Sequence, residues 1–166
     1  YHTCALLDNA SVKCWGAGAW GKLGIDNQNS KGDGPGEMGD NLSVVDLGTG
    51  RTATAISLGY EHTCALLDNA SVKCWGGNEY GELGIDISSN VMGNSSGQMA
   101  SLTGINLGTG RTATAIASGI FHTCALLDDT SVKCWGNNTF GGLGIGSTDH
   151  MGDNSGEMAV LPYLDL

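Results

Sequence analysis

The feature that most limits what this chain can fold into is an internal repeat sixty residues long. The segment HTCALLDNASVKCWG at His2–Gly16 recurs letter for letter at His62–Gly76 and returns as HTCALLDDTSVKCWG at His122–Gly136. GTGRTATAI at Gly48–Ile56 recurs at Gly108–Ile116, and a Gly-x-Leu-Gly follows each hairpin at Gly21–Gly24, Gly81–Gly84 and Gly141–Gly144. A fixed period of this length belongs to arrays whose units bury their faces only against neighbours, such as solenoids and propellers.

Each unit reads as β. Arg51–Ile56 alternates Thr with Ala and Ile, so Thr is expected outward and the apolar residues inward. His62–Leu67 is rich in strand formers, and Ser71–Trp75 follows an Asp68-Asn69-Ala70 turn. A further apolar stretch, Leu42–Leu47, is set apart by the Gly-, Asp-, Asn- and Ser-rich segment Asp26–Asp40, which fits neither a helix nor a strand period. Four antiparallel strands per sixty residues suit a propeller blade, with small Ala residues on the strand nearest the axis. With 28 Gly among 166 residues, a long-helix protein is excluded, and without a Gly-X-Y period so is collagen.

The motifs resemble the repeat of the regulator of chromosome condensation family: His62-Thr63 before a short apolar strand, then Trp75-Gly76, then Asn78–Gly84 in the pattern Asn-x-x-Gly-x-Leu-Gly. The third unit carries the same motifs, and the first departs with Gly18 where Asn78 and Asn138 stand. The resemblance implies an all-β fold of β-propeller blades, usually closed as a ring of seven. The expected organisation is one continuous array of three units at 1–47, 48–107 and 108–166, the first and last partial, either an excerpt of a longer propeller or a polymerised array.

Cysteine occurs as Cys4 and Cys14, Cys64 and Cys74, Cys124 and Cys134, one pair per unit, ten residues apart across the hairpin turn. A turn centred on Asn9 sets opposite one another the residues whose numbers sum to 18, Cys4 and Cys14 among them. The spacing favours three hairpin disulfides and an oxidising, extracellular setting. Zinc and free buried thiols are the competing readings; C-x9-C without a second close ligand pair is not a zinc signature.

No catalytic constellation assembles. His2, His62 and His122 recur in every unit without partners and read as blade-core histidines bonded to backbone, while His150 stands alone in a loop. No phosphate loop, dinucleotide fingerprint, Gly-x-Ser-x-Gly or His-Glu-x-x-His is present, so no enzyme, cofactor or metal is expected. Asp33, Glu37 and Asp40 offer oxygen ligands for calcium but fit no EF-hand, and the second unit has Asn94-Ser95-Ser96-Gly97-Gln98 at the matching place, so solvated turn chemistry is the preferred reading. Asn-x-Ser/Thr occurs at Asn9, Asn41, Asn69, Asn94 and Asn137, candidate glycan acceptors in an extracellular protein. Trp15, Trp75 and Trp135 read as packing between blades; Trp20, Tyr80 and Phe140 are candidates for contact between repeats or with a partner.

A net charge of −10 disfavours nucleic acid and anionic membrane surfaces, and no apolar run is long enough to span a bilayer. The expected function is therefore that of an extracellular structural repeat protein. It would build a fibre, sheath or adhesive surface layer, its partners being copies of itself or further repeats joined head to tail. The alternative is a ring-forming interaction propeller, similar to the exchange factor for a small nuclear GTPase or binding carbohydrate or protein.

Overall fold

A computed structural model describes residues 1–87 and 89–164. Among these, the strands form three antiparallel sheets: β1 (His2–Leu6) with β2 (Val12–Gly16); β3 (Ala53–Leu58), β4 (His62–Leu67), β5 (Val72–Gly77) and β6 (Val91–Met92) in that order; and β7 (Ala113–Ser118), β8 (His122–Leu127) and β9 (Val132–Gly136). Two single-turn helices, α1 (Gln98–Ser101) and α2 (Glu157–Val160), follow the second and third sheets.

Local chemistry sets each hairpin. Asn9 accepts hydrogen bonds from the Ser11 amide at 3.0 Å and the Ser11 hydroxyl at 2.7 Å, and Asn69 and Asp129 repeat the arrangement with Ser71 and Ser131. The residue after each, Ala10, Ala70 or Thr130, takes the left-handed conformation that closes a three-residue hairpin loop. The resulting register pairs His2 with Gly16, Cys4 with Cys14 and Leu6 with Val12, and repeats unchanged in the other two hairpins.

The cores lie between sheets. Along β4, Ala65 and Leu67 join Val12, Leu23, Val45 and Trp75 on one side, whereas Cys64 and Leu66 join Leu83, Leu127 and Trp135 on the other. All of β4 is buried, as a strand packed on both faces requires. Strict Thr-out, apolar-in alternation does not run through β3: a bulge between Ala53 and Ala55 sends Ala53 and Ile56 to one core and Ala55 to the other.

The fourth strand also departs from expectation. The free edge of each hairpin is shared by two segments. Lys31 bridges Gly16 at one end and Val44 bridges Lys13 at the other, with a 3-10 turn at Gly39–Asn41 between them. In the second unit β6 pairs with Gly76 and Gly77, while the Ile105 amide donates to the Val72 carbonyl, with α1 between. The Gly-rich segment, read as irregular, thus supplies half of the outer strand, and the apolar stretch supplies the rest.

Candidate binding face

Consecutive units are joined by one hydrogen-bonded junction, formed twice. Thr63 Oγ1 donates to the Lys22 carbonyl at 2.9 Å, and Trp75 Nε1 donates to that same oxygen at 3.1 Å. Thr123 and Trp135 do the same to the Glu82 carbonyl, at 3.0 and 2.9 Å. A Thr hydroxyl has one proton, already committed to the carbonyl, so the histidine against it must donate. His2 Nε2 lies 2.7 Å from Thr63 Oγ1 and His62 Nε2 lies 3.0 Å from Thr123 Oγ1, which sets both imidazoles as neutral Nε2–H tautomers. Burial is the main cause that lowers each histidine pKa to about 4. The blade histidine thus bonds to the hydroxyl of the next unit, where sequence reasoning expected backbone.

Two glycine positions exist for this contact. A Cβ at Gly59 or Gly119 would collide with the imidazole of His62 or His122, and one at Gly84 would lie 2.7 Å from Trp135 Nε1. Two aspartates make a second cross-unit joint. Asp26 and Asp86, both in the left-handed region, accept the Met99 and Met158 amides at 2.9 Å. Their other oxygens accept the Gly97 and Gly156 amides at 2.8 and 3.2 Å, so each Asp holds the helical turn of the following unit.

The acidic loop residues have structural work of the same kind. Glu37 accepts the Gly32 and Gly34 amides at 2.9 and 3.0 Å; at the matching position Gln98 accepts those of Gly93, Asn94 and Ser95, and Glu157 those of Gly152, Asp153 and Asn154. Gln replaces Glu without loss of the bonds to backbone amides, so for holding the loop an acceptor oxygen is needed there and a charge is not. Among the described residues no group of His, Cys, Asp and Glu is arranged to hold a metal ion. The Gly18 departure is steric: the Asn29 backbone fills the space where the Asn78 side chain stands in the second unit, and a Cβ at Gly18 would strike it.

The cysteines pair as Cys4–Cys14, Cys64–Cys74 and Cys124–Cys134, with Cα atoms 4.1 Å apart in each. Trp75 and Trp135 are fully buried between sheets. Of the five sequon asparagines, Asn9, Asn41 and Asn69 are exposed and Asn94 and Asn137 half-buried; the Asn41 amide already donates to the Gly36 carbonyl at 2.8 Å.

At the other recurring aromatic position Trp20 is 48% and Phe140 96% exposed, while Tyr80 is half-buried. On the same side the rings run Tyr1, Tyr60, Phe121, Tyr80 and His150, edge to face, with centroids 5.1 to 5.7 Å apart. In this row a cavity of about 360 Å³ opens, walled by Trp20, Tyr60 and Phe121 and by Glu61, Glu79 and Glu82. Lys22, almost fully buried, pairs with Glu61. Glu82 holds the position of Lys22 one unit on and is equally buried, but is absent from the ion pairs of the described residues. Burial raises its carboxyl pKa to about 7. Sequence motifs did not point to Lys22, Glu61, Glu79 or Glu82. The signal was their change of residue from unit to unit inside an otherwise copied frame.

Two segments of the chain, residues 53–82 and 113–141, match the family model described as the Regulator of chromosome condensation (RCC1) repeat. These two segments are RCC1-type repeats. It is 32% identical over 149 residues to the Ultraviolet-B receptor UVR8 of Arabidopsis thaliana and 30% identical over 148 residues to the human E3 ubiquitin-protein ligase HERC2, with 89% of the chain aligned in each case. It spans only 30% of the first and 3% of the second. Prp20p of Saccharomyces cerevisiae superposes on 99% of the chain with a TM-score of 0.72 at 17% identity, over 36% of its own length. That superposition establishes the RCC1 β-propeller fold for the three units together.

Proposed function

We propose that this RCC1-repeat chain is part of an extracellular, non-catalytic propeller whose work is binding. The observation that carries the reading is a division between copied and varied residues. The six copied Cys residues are committed to disulfides, and Thr63, Thr123, Trp75 and Trp135, together with His2 and His62, to unit junctions, whereas the varied residues Trp20, Glu61, Glu79, Glu82 and Phe121 gather on one face around one cavity. Histidines that donate to hydroxyls in a buried junction are not placed to act as general bases. The three disulfides support an oxidising compartment, and glycans at the exposed Asn9 and Asn69 would accord with it.

The binding of Prp20p, which shares the fold, to Gsp1p and histones supports the same class of function. A second reading, a head-to-tail fibre of copies or further repeats, is favoured by the identity of the two junctions. The curvature shared with Prp20p over nearly the whole chain favours the propeller.

Electron microscopy with light scattering of the native protein separates the two: discrete particles are expected, and long filaments with a blade-sized repeat would overturn the binding-module reading. Intact mass should rise on reduction by about two mass units per bridge; no rise would remove the extracellular assignment. Nucleotide exchange on a small GTPase should be undetectable.

A further inference from the structure

The geometry points to the cavity between Trp20, Tyr60 and Phe121 as a site for a guanidinium group, presented as an arginine side chain by a basic segment of a partner protein. This deepens the binding-module reading and rests on it.

The cavity has a shape and charge that the copied frame does not require. Its aromatic walls come from three different stretches of chain, with the Tyr60 and Phe121 ring centroids 5.7 Å apart. Its polar walls are three carboxylates and Asn90, and Lys22 compensates one of the carboxylates by pairing with Glu61. Glu79 and Glu82 have no cation within ion-pair distance among the described residues. Glu82 is 3% exposed; its Oε2 accepts the Tyr80 amide at 2.9 Å, and its Oε1 takes no hydrogen bond from a described residue. A carboxylate buried to this degree without a counter-charge is costly, and a cation entering the cavity would remove that cost.

Ring faces and carboxylates together select the occupant. A neutral sugar would stack on the rings but leave Glu79 and Glu82 uncompensated. An ammonium would meet the charge but is compact and strongly hydrated. A guanidinium stacks on aromatic faces, offers two parallel N–H donors to a carboxylate and sheds water more readily. The overall charge of −10 favours a basic partner over an acidic one.

The comparison between units supports the same assignment. At the Trp20 position the other units have Tyr80 and Phe140, aromatic throughout. At the Glu82 position they have Lys22 and Gly142, and at the Glu61 position Tyr1 and Phe121. Among the described residues, only the second junction combines rings with a buried acid outside the ion pairs, which gives one such site.

The test is titration of the intact protein with N-acetylargininamide, followed by NMR at the Trp20 indole N–H, with the neutral citrulline counterpart and N-acetylglucosamine as controls. Saturable shifts in the millimolar range are expected for the arginine derivative alone, weakened about tenfold in Glu82→Gln. A Phe121→Leu variant should also weaken binding, and unchanged far-UV circular dichroism in both variants would show that each is folded. Equal response to the citrulline derivative, binding that Glu82→Gln leaves intact, or no binding of the arginine derivative would each overturn the assignment. A failure here leaves the binding-module reading standing, because that reading is decided by particle shape.

Discussion

The two unit junctions are made from the same hydrogen bonds and opposite charges. In the first, the carbonyl that receives Thr63 and Trp75 belongs to Lys22, whose buried ammonium pairs with Glu61. In the second, the carbonyl that receives Thr123 and Trp135 belongs to Glu82, a buried acid with no such partner. Backbone carbonyls do the joining, so the side chain at that position is free to vary without loss of the joint. The proposed recognition rests on what varies there.

The largest effects should therefore be equal at the two junctions. Trp75→Ala and Trp135→Ala each empty a fully buried site and remove a bond to the shared carbonyl, at an expected cost of about 3 to 5 kcal/mol apiece by denaturant unfolding. A difference between them larger than about 1 kcal/mol would break the equivalence of the junctions.

Acid should act next. Because His62 has its pKa lowered to about 4 from 6.5, the folded state binds fewer protons than the unfolded one between those values. Its contribution is complete above about pH 6.5 and declines as pH falls towards 4, by up to about 1.4 kcal/mol per pH unit. The titratable groups facing it are His2 and His122. Glu82 works in the other direction: with its pKa raised from 4.5 to about 7, its contribution is complete below pH 4.5 and lost as pH rises through 7. The charged groups facing Glu82 are Glu79 and Asp153. Stability of wild type relative to Glu82→Gln, measured by urea unfolding across this range, should accordingly fall as pH rises; a flat difference would mean that Glu82 titrates normally.

At pH 8 the buried charges separate the junctions by sign. Lys22→Met strands Glu61 and should destabilise by about 1 to 3 kcal/mol. Glu82→Gln keeps the acceptor for the Tyr80 amide and removes a buried charge, so it should stabilise by about 1 kcal/mol. Destabilisation by both substitutions, read from thermal unfolding, would mean that the two positions are alike after all. The smallest effect belongs to the turns: Ala70→Gly relieves a φ of 61° and should lie between neutral and about 1 kcal/mol stabilising, with the same value at Ala10, which has the same φ.

Much of each hairpin could be read directly from the sequence because its determinants are neighbours. Asn9, Ala10 and Ser11 set the turn, the turn sets the register, and the register brings Cys4 opposite Cys14 with no help from the rest of the chain. The bridge closes a loop of that size at a gain of about 2 to 3 kcal/mol in the chain-entropy model. The division of the outer strand was not legible, since Lys31 and Val44 meet the same edge only after the intervening loop has folded back.

The sequence by itself determined the period, the β class, the hairpins and the aromatic positions, because repetition and short-range turn chemistry survive in one dimension. Only the tertiary structure decided that His2 reaches Thr63, that Asp26 holds the turn of the next unit, and that Trp20, Tyr60, Glu82 and Phe121 surround one cavity. These residues lie tens of positions apart, and their meeting depends on the rotation between successive sheets. That rotation is set by side chains packed across both faces of the middle sheet, which no local pattern encodes.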